Sequence, residues 1–122
     1  MRIIGIRGAI TVNENSTVAI DAASYEMMKK IIELNSIVED DVISITFTMT
    51  KDVNQRYPSV IVREKLNRKN TPILNFEEKD IIHSLEKCIR VLIYAYSDKA
   101  KKDVAHVYLK EAEKLRPDLC FK

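Results

Sequence analysis

The chain has 122 residues, of which 46% are hydrophobic and 31% are charged, and this is typical of one globular domain, here residues 1–122. The 20 basic and 18 acidic residues leave a net charge of +2, which is too balanced to indicate a nucleic-acid-binding protein. No apolar stretch reaches the length of a membrane span, and the sequence starts directly with a strand pattern. We therefore expect a cytoplasmic protein without membrane contact.

The first predicted element is a strand over about residues 2–12, and it carries Arg7 near its end. The only two glycines of the chain, Gly5 and Gly8, flank this arginine. Glycine at these positions lets the backbone bend or lets a ligand approach closely. The glycines do not form a phosphate-binding loop, because the spacing and the following Lys-Ser/Thr of that motif are absent.

A helix is predicted over about residues 17–35, with Thr17 as its cap. Its apolar positions follow helical spacing and indicate core packing rather than a cofactor site; they are Ile20, Met27, Ile31 and Leu34. The next strand, residues 42–50, alternates strictly between hydroxyl side chains on one face and apolar side chains on the other. The apolar face consists of Ile43, Ile45, Phe47 and Met49.

Pro58 lies in the first turn of a short predicted helix at 59–66. The segment 71–76 is predicted to be an edge strand, because Pro72 has no N–H to donate to a neighbouring strand. The tail at 103–115 fits either a helix or a strand. The predicted order, β-α-β-α-β-β with an uncertain end, indicates an α/β (α+β) domain: a mixed β-sheet with helices mainly on one face. A neighbouring subunit is the natural cover for the other face.

Arg90 lies within the run Cys88–Tyr96, which is apolar on both alternating faces and so predicts a strand covered on both sides. A guanidinium cannot lose its charge, and burying it unpaired is expensive. Either a carboxylate of the protein contacts Arg90, or the site is kept for an external anion. Together with Arg7, it indicates either a pocket for an anionic, polycarboxylate ligand or two structural ion pairs.

Neither the cysteines nor the histidines form a metal-binding or redox pattern. Cys88 and Cys120 lack such spacing, and His83 and His106 have no partner motif. We therefore expect reduced, ordinary cysteines and no metal site.

Four segments together resemble a known family. Ile4–Ala9, Lys87–Val91, His106–Leu109 and Leu115–Leu119 are similar, in order and spacing over essentially the whole chain, to the monofunctional chorismate mutases of the AroH class. Any one segment alone is a weak signal. Four such segments in register form a fairly specific signal, and two of them contain the arginines discussed above.

The resemblance implies a pseudo-α/β-barrel homotrimer, an architecture also found in YjgF-like proteins, with active sites at the subunit interfaces. It implies the conversion of chorismate to prephenate, the branch step of the shikimate pathway toward phenylalanine and tyrosine. This one-step pericyclic rearrangement needs no nucleophile, proton shuttle, metal or other cofactor. The resemblance also makes Tyr108 part of a strand rather than a helix.

The resemblance also implies residue roles. Arg90 would face the ether oxygen of the breaking C–O bond, where a fixed cation stabilises the transition state more than the ground state. Arg7 would bind a substrate carboxylate, and Tyr108 would hydrogen-bond at the same end. Glu78 would accept a hydrogen bond from the substrate hydroxyl. Arg63 would add positive charge near the pocket mouth and steer the dianion.

The pocket walls implied by the resemblance are Tyr57, Ile73, Leu74 and Leu115. Two positions depart from the family: Val60 stands where a lysine is common, and Asn75 stands where a cysteine is common. Asparagine still donates and accepts hydrogen bonds, so Asn75 can contact the substrate hydroxyl. Both changes bear on affinity more than on chemistry.

Two other functions remain open at this stage. One is a Rid-type imine deaminase of similar trimeric fold, which also holds a carboxylate with an interfacial arginine. The other is a non-catalytic sensor of a small dicarboxylate, which Val60 and Asn75 favour. A mutase predicts that Arg7, Glu78 and Arg90 converge with Tyr108 on one interface pocket. A fixed Asp or Glu of the same subunit paired with Arg90 would rule it out.

Overall fold

The computed structural model of this chain describes residues 1–66 and 69–119. In these ranges one sheet is formed by β1 (Arg2–Thr11), β2 (Val42–Met49), β3 (Ile73–Glu77), β4 (Cys88–Ser97) and β5 (Val107–Leu109). The α-helices are α1 (Thr17–Asn35) and α2 (Ser59–Lys65). Short 3-10 helices lie at Glu39–Asp41, Lys101–Asp103, Lys110–Lys114 and Pro117–Leu119. Cys120, predicted to be an ordinary unpaired cysteine, lies outside the described residues.

The sheet has the strand order β3-β2-β4-β1-β5, so the arginine-bearing β4 is central. It runs antiparallel to β1 and β2, whereas the edge strands β3 and β5 run parallel to their neighbours. Pro72 directly precedes β3, which has its predicted place at the edge. The ambiguous tail resolves into β5 followed by a 3-10 helix, so the expected strand conformation of Tyr108 is confirmed.

Both α-helices pack on one face of the sheet, which we call the helix face. Alternate strand residues point to this face and are buried against the helices. The resulting core contains Ile6, Ile10, Ile45, Phe47, Ile89 and Ile93 from the strands and Ile20, Met27, Met28, Ile31, Ile61 and Val62 from the helices. The predicted fold class, a mixed sheet with its helices mainly on one face, is confirmed.

Two details of α1 differ from the sequence prediction. The N-cap is Ser16, not Thr17, because the Ser16 hydroxyl accepts the N–H of Ala19 at 3.1 Å. The buried stripe continues from Ile31 to Asn35, one full i+4 step, and this leaves Leu34 40% exposed. Asn35 exchanges two 2.9 Å hydrogen bonds with the backbone of Ala105, and these fasten α1 to the segment that leads into β5.

The predicted alternation of β2 holds from Ile45 to Met49, and it fails at the start of the strand. A bulge between Val42 and Ser44 shifts the register, so Val42 packs against the core while Ile43 is only half-buried. A bulge adds one residue and moves the following side chains to the opposite face.

Gly8 serves the packing of a helix rather than a ligand or a bend, and the sequence interpretation of this glycine was wrong. It points to the helix face, where an added Cβ would lie 2.6 Å from Cδ1 of Ile31 and 3.1 Å from Cγ1 of Val91. Gly5 points to the other face and has ordinary room for a Cβ, with its nearest neighbour, Tyr94, at 3.7 Å. Glycine at position 8 therefore sets how closely α1 approaches β1.

The second face of the sheet, which we call the open face, is only partly covered within one chain. β4 was predicted to be covered on both sides, but its side chains on this face include Tyr94 (44% exposed) and Tyr96 (46% exposed). Large apolar side chains at the exposed surface also include Ile3, Leu74 and Phe76. Among the described residues, no helix combines the length and apolar character needed to cross a membrane.

Candidate active site

One row of side chains crosses all five strands on the open face. The register pairs Tyr108 with Ala9, Ala9 with Arg90, Arg90 with Thr48, and Thr48 with Phe76. Neighbouring strands lie about 4.8 Å apart. Tyr108 and Arg90 are on strands separated by β1, so their backbones lie about 10 Å apart across the sheet. Only the methyl group of Ala9 lies between them in the row. The sheet thus places a cation and a phenol on one surface with a small side chain between them.

Glu78 is held against Arg90 by the end of β2. Its Oε2 lies 3.3 Å from Nε of Arg90 and accepts the hydroxyl of Thr48 at 2.5 Å. Its backbone N–H donates to the carbonyl of Met49 at 2.8 Å. The two charged side chains are mostly buried, with 28% of Arg90 and 19% of Glu78 exposed. Two predicted site residues, Arg90 and Glu78, are therefore in direct contact.

This contact resolves the alternative posed by an arginine in an apolar strand, since a carboxylate of the same chain does meet Arg90. The expectation that such a pair would rule out a mutase was wrong. The partner is itself a predicted site residue, and the recorded pair reaches only Nε of a guanidinium that has five N–H donors.

Buried polar atoms without a hydrogen-bond partner concentrate at the predicted site. Within the described ranges there are five, and three of them belong to Arg90 (Nε), Tyr108 (OH) and Asn75 (Oδ1). The N–H of Arg90 Nε is not aligned with Glu78 despite the short ion-pair distance. A buried polar group left unsatisfied costs about 1–3 kcal/mol. In native proteins such groups are exceptions, and a catalytic role or an ordered water or ion is among their explanations.

Tyr108 belongs to a small second cluster on the open face, formed with Ala9, Cys88 and Ala112. Leu115, a predicted wall residue, is partly buried and packs against this cluster. The Tyr108 side chain is fully buried. Its ring is fixed by packing, and its hydroxyl has no hydrogen-bond partner in the part of the chain that the structure describes.

Cys88 lies two residues before Arg90 on the same strand and is fully buried. Burial raises the pKa of its thiol to about 11, although the charge of Arg90 acts in the opposite direction. The thiol is therefore protonated at neutral pH and does not act as a nucleophile. Within the described ranges, no group of three or more His, Cys, Asp or Glu residues is arranged to hold a metal ion.

Arg7 lies on the open face, in register with Leu92 and one row away from Arg90. Its backbone N–H donates to Nδ1 of His106 at 3.0 Å. Partial burial, together with the charges of Arg7 and Arg116, holds the pKa of His106 below its ordinary value. The imidazole is therefore neutral at neutral pH and keeps Nδ1 as an acceptor.

Two neighbours of the predicted site, His106 and Arg116, were not predicted from the sequence. Arg116 acts electrostatically on His106 and Tyr108, and its guanidinium pairs with the Asp118 carboxylate at 2.9 Å. Asp118 raises the pKa of Arg116, and Arg116 lowers that of Asp118. The available signal was adjacency, since Arg116 directly follows the predicted wall residue Leu115.

The remaining predicted residues do not lie beside Arg90 within one chain. In the β2–β3 register, Ile73 and Asn75 share the helix face with Ile45 and Phe47. The Asn75 amide nitrogen donates to the hydroxyl of Ser59, the first residue of α2, at 2.9 Å. Further predicted side chains are exposed: Tyr57, Leu74 and, on α2, Arg63.

A cavity of about 370 Å³ opens beside Glu78. Its lining consists of residues 50–52 and 78–86, and Arg90 lies outside it. The long connection between β3 and β4 therefore forms one wall of the concave surface next to the ion pair.

Comparison with known proteins identifies the family of the chain. Residues 3–119 match the model of the family described as chorismate mutase type I. The chain is 39% identical over 116 residues to chorismate mutase AroH of Thermus thermophilus, covering 94% of each chain. It is 35% identical over 119 residues to chorismate mutase AroH of Bacillus subtilis strain 168, covering 98% of this chain and 94% of that protein.

A solved structure, a chorismate mutase from Clostridium thermocellum, superposes with a TM-score of 0.87 at 42% identity. The match covers 90% of this chain and 97% of that one. The family model, the two relatives and the solved structure agree along nearly the whole length, and the resemblance inferred from four short segments is confirmed. The chain belongs to the type I chorismate mutase family.

Proposed function

We propose that this chain is a chorismate mutase that rearranges chorismate to prephenate in one pericyclic step. The observation that carries the proposal is the row on the open face, where Arg90, in contact with Glu78, shares one surface with Tyr108. Membership in the type I chorismate mutase family supports the same reaction.

Arg90 carries the electrostatic part of the reaction. In the transition state the breaking C–O bond leaves negative charge on the ether oxygen, and a fixed cation aimed at that oxygen stabilises this charge. Ile89 and Val91 are buried on either side of Arg90 along β4, so the arginine projects from a rigid, apolar strand. A cation that needs no reorganisation during the reaction lowers the barrier more than it favours the bound substrate.

The other site residues bind and orient the dianion. Arg7 binds a carboxylate from the adjacent row, and Tyr108 donates its unpartnered hydroxyl to the same group. Glu78 accepts a hydrogen bond from the substrate hydroxyl while the Thr48 hydroxyl fixes its orientation. These contacts hold the compact conformer in which the bond-forming carbons approach each other.

The site takes residues from two copies of the chain. Asn75 and Ile73 share the helix face, whereas Arg90 and Tyr108 share the open face, and a small ligand cannot contact both faces of one sheet through its strands. We therefore assign Ile73 and Asn75 to the neighbouring copy, together with Tyr57 and with Arg63 of α2. Leu74 shares the open face with Arg90, so its role as a wall does not require a second copy. Leu115 packs against the cluster that contains Tyr108 in the same chain.

A homotrimer with active sites at its interfaces is part of this proposal. The open face carries exposed apolar side chains that a second copy would bury, among them Ile3, Leu74, Phe76, Tyr94 and Tyr96. The partnerless atoms of Arg90 and Tyr108 lie on that face. The proposed setting is the cytoplasmic shikimate pathway, at the branch toward phenylalanine and tyrosine. Val60, where the family commonly has lysine, leaves less positive charge near the pocket mouth and lowers affinity for a dianion.

The deciding experiment follows the loss of chorismate by ultraviolet absorbance with the purified full chain. It compares wild type, Arg90→Ala and the matched control Arg2→Ala, which removes an exposed arginine from the end of β1. We expect saturable loss that yields prephenate and falls at least about 100-fold in Arg90→Ala, the usual effect of removing one transition-state donor. Arg2→Ala should retain wild-type turnover.

If folded wild-type protein does not convert chorismate above the uncatalysed background, the proposed mutase function is wrong. Tight binding of a chorismate-like dicarboxylate in that case would instead identify a sensor.

The shared site has its own test. As pure assemblies, Arg90→Ala should be nearly inactive and Arg63→Ala should have a lower kcat/KM than wild type. Mixing the two after reversible dissociation should restore part of the activity, because some interfaces then combine an intact Arg90 with an intact Arg63. Mixtures that stay at the level of the two pure variants would show that one chain supplies both arginines. Light scattering on wild type gives the number of copies.

A further inference from the structure

β4 begins at an unusual backbone position. Lys87, directly before Cys88, has φ of 47°, in the left-handed region. A residue with a Cβ is destabilised there by about 1–2 kcal/mol, so surrounding contacts must hold it. Lys87 is three residues before Arg90, and its conformation sets the direction in which β4 starts.

Asp52 and Thr50 make those contacts, and we call the two residues the β4 clamp. The Lys87 N–H lies 3.1 Å from both carboxylate oxygens of Asp52. The Thr50 hydroxyl donates to Oδ1 of Asp52 and accepts the N–H of Cys88 at 3.0 Å. The carboxylate, the hydroxyl and the first two N–H groups of the strand thus form one connected set.

The clamp joins β4, which carries Arg90, to the end of β2, which anchors Glu78. Thr50 directly follows β2, whose last residues anchor Glu78 through the Thr48 hydroxyl and the Met49 carbonyl. The Thr50 N–H also donates to the carbonyl of Cys88 at 3.0 Å. The end of β2 therefore contacts both Glu78 and the start of β4, the strand that carries Arg90.

We propose that Asp52 is a positioning residue for Arg90. It neither belongs to the row on the open face nor acts on substrate directly. By holding Lys87 in its left-handed conformation, it fixes β4 against β2 and sets the distance between the Arg90 guanidinium and the Glu78 carboxylate. A displacement of about 1 Å at a reacting group can lower the rate about 100-fold. This inference rests on the proposed mutase function.

The test measures kcat and KM for chorismate together with hydrogen exchange at the Lys87 and Cys88 amides. Asp52→Ala should accelerate exchange at both amides and lower kcat about 10- to 100-fold, with less than about a threefold change in KM. Asp52→Asn keeps one acceptor oxygen and should fall between Asp52→Ala and wild type. Thr50→Ser keeps the hydroxyl and should resemble wild type, whereas Thr50→Val should resemble Asp52→Ala.

A double variant separates positioning from stability. In Asp52→Ala, the further change Lys87→Gly relieves the left-handed strain and should recover stability to urea, since glycine adopts this backbone readily. It should not recover kcat, because glycine leaves the start of β4 less constrained. Full recovery of kcat, or loss of kcat only in proportion to the unfolded fraction, would overturn the positioning role.

Failure of the proposed function would be distinguishable from failure of this inference. If wild type does not turn over chorismate, the mutase proposal fails, and the positioning role fails with it even where exchange confirms the clamp. If wild type is active and the Asp52 variants keep wild-type kcat despite faster exchange, only the positioning role fails.

Discussion

The backbone N–H of Arg7 donates to Nδ1 of His106 at 3.0 Å, across 99 positions of sequence. The bond ties the residue before β5 to the strand that carries the proposed carboxylate-binding arginine. It requires an unprotonated Nδ1, and the surroundings favour that form through partial burial and the charges of Arg7 and Arg116.

The first prediction is a loss of stability on acidification that originates at His106. Its pKa is lower in the folded chain than in the unfolded chain, so the unfolded state binds the proton first as the pH falls. The stability that neutral His106 contributes is fully present above the ordinary histidine pKa of about 6.5. It is lost as the pH falls toward the pKa of His106 in the folded chain. Urea unfolding at a series of pH values between 7.5 and 5 measures this loss.

His106→Asn is the matched variant, because its side-chain oxygen can replace Nδ1 as an acceptor and does not titrate. The pH dependence of stability in this range should be smaller in His106→Asn than in wild type. His83→Asn, which changes an exposed histidine, should leave the wild-type pH dependence in place. An unchanged slope in His106→Asn would show that other groups cause the loss.

The second prediction concerns the buried hydroxyl of Tyr108. Since it has no hydrogen-bond partner among residues 1–66 and 69–119, Tyr108→Phe should raise the free energy of unfolding by about 1 kcal/mol. The same change should lower kcat/KM about 10- to 100-fold through loss of a hydrogen bond to a charged substrate group. Denaturant melts and initial rates on one preparation test both effects. A less stable variant would show that the hydroxyl is bonded within the assembly.

The third prediction separates the charge of Glu78 from its hydrogen bonding. Glu78→Gln keeps an acceptor for the Thr48 hydroxyl and for substrate, so it should reduce kcat/KM by less than about tenfold. Glu78→Ala removes the acceptor and should lower kcat/KM about 10- to 100-fold. Glu77→Gln, which changes the exposed preceding glutamate, is the control. Equal losses in Gln and Ala variants would assign the effect to charge alone.

The sequence predicted the strand around Arg90 and most element boundaries because these follow from local patterns. Alternation over β2 and the helical spacing of α1 are dictated by burial on one face, which is repeated along each element. A charged residue inside an apolar strand likewise stands out without any structure. Arg90 could therefore be singled out as a candidate site residue before its partners were known.

Contacts that depend on register could not be predicted in this way. Glu78 follows an edge strand in a polar segment, and only the β2–β3 pairing places it beside Arg90. His106 meets Arg7 only because β5 adds to β1 in parallel. Successive side chains of a strand point to opposite faces of the sheet. Asn75 therefore lies on the helix face, near α2, and Leu74 lies on the open face. A single sequence does not specify which strands pair or how they are aligned.

Gly8 provides the fourth prediction. An added Cβ would lie 2.6 Å from Cδ1 of Ile31, so Gly8→Ala must displace α1 or force Ile31 out of its rotamer. We expect a loss of about 1–3 kcal/mol in the free energy of unfolding. Gly5→Ala, whose Cβ would meet only ordinary contacts at 3.7 Å, should change stability by less than about 0.5 kcal/mol.

Ile31→Val removes the methyl group that the new Cβ would strike, and it should itself cost about 0.5–1.5 kcal/mol as a buried truncation. In that background Gly8→Ala should be much less destabilising, because the deleted atom leaves the room that the Cβ needs. A double-mutant cycle measured by urea unfolding gives the coupling between the two positions. Additive losses would mean that the close approach of α1 to β1 is limited by Val91 or Met27 rather than by Ile31.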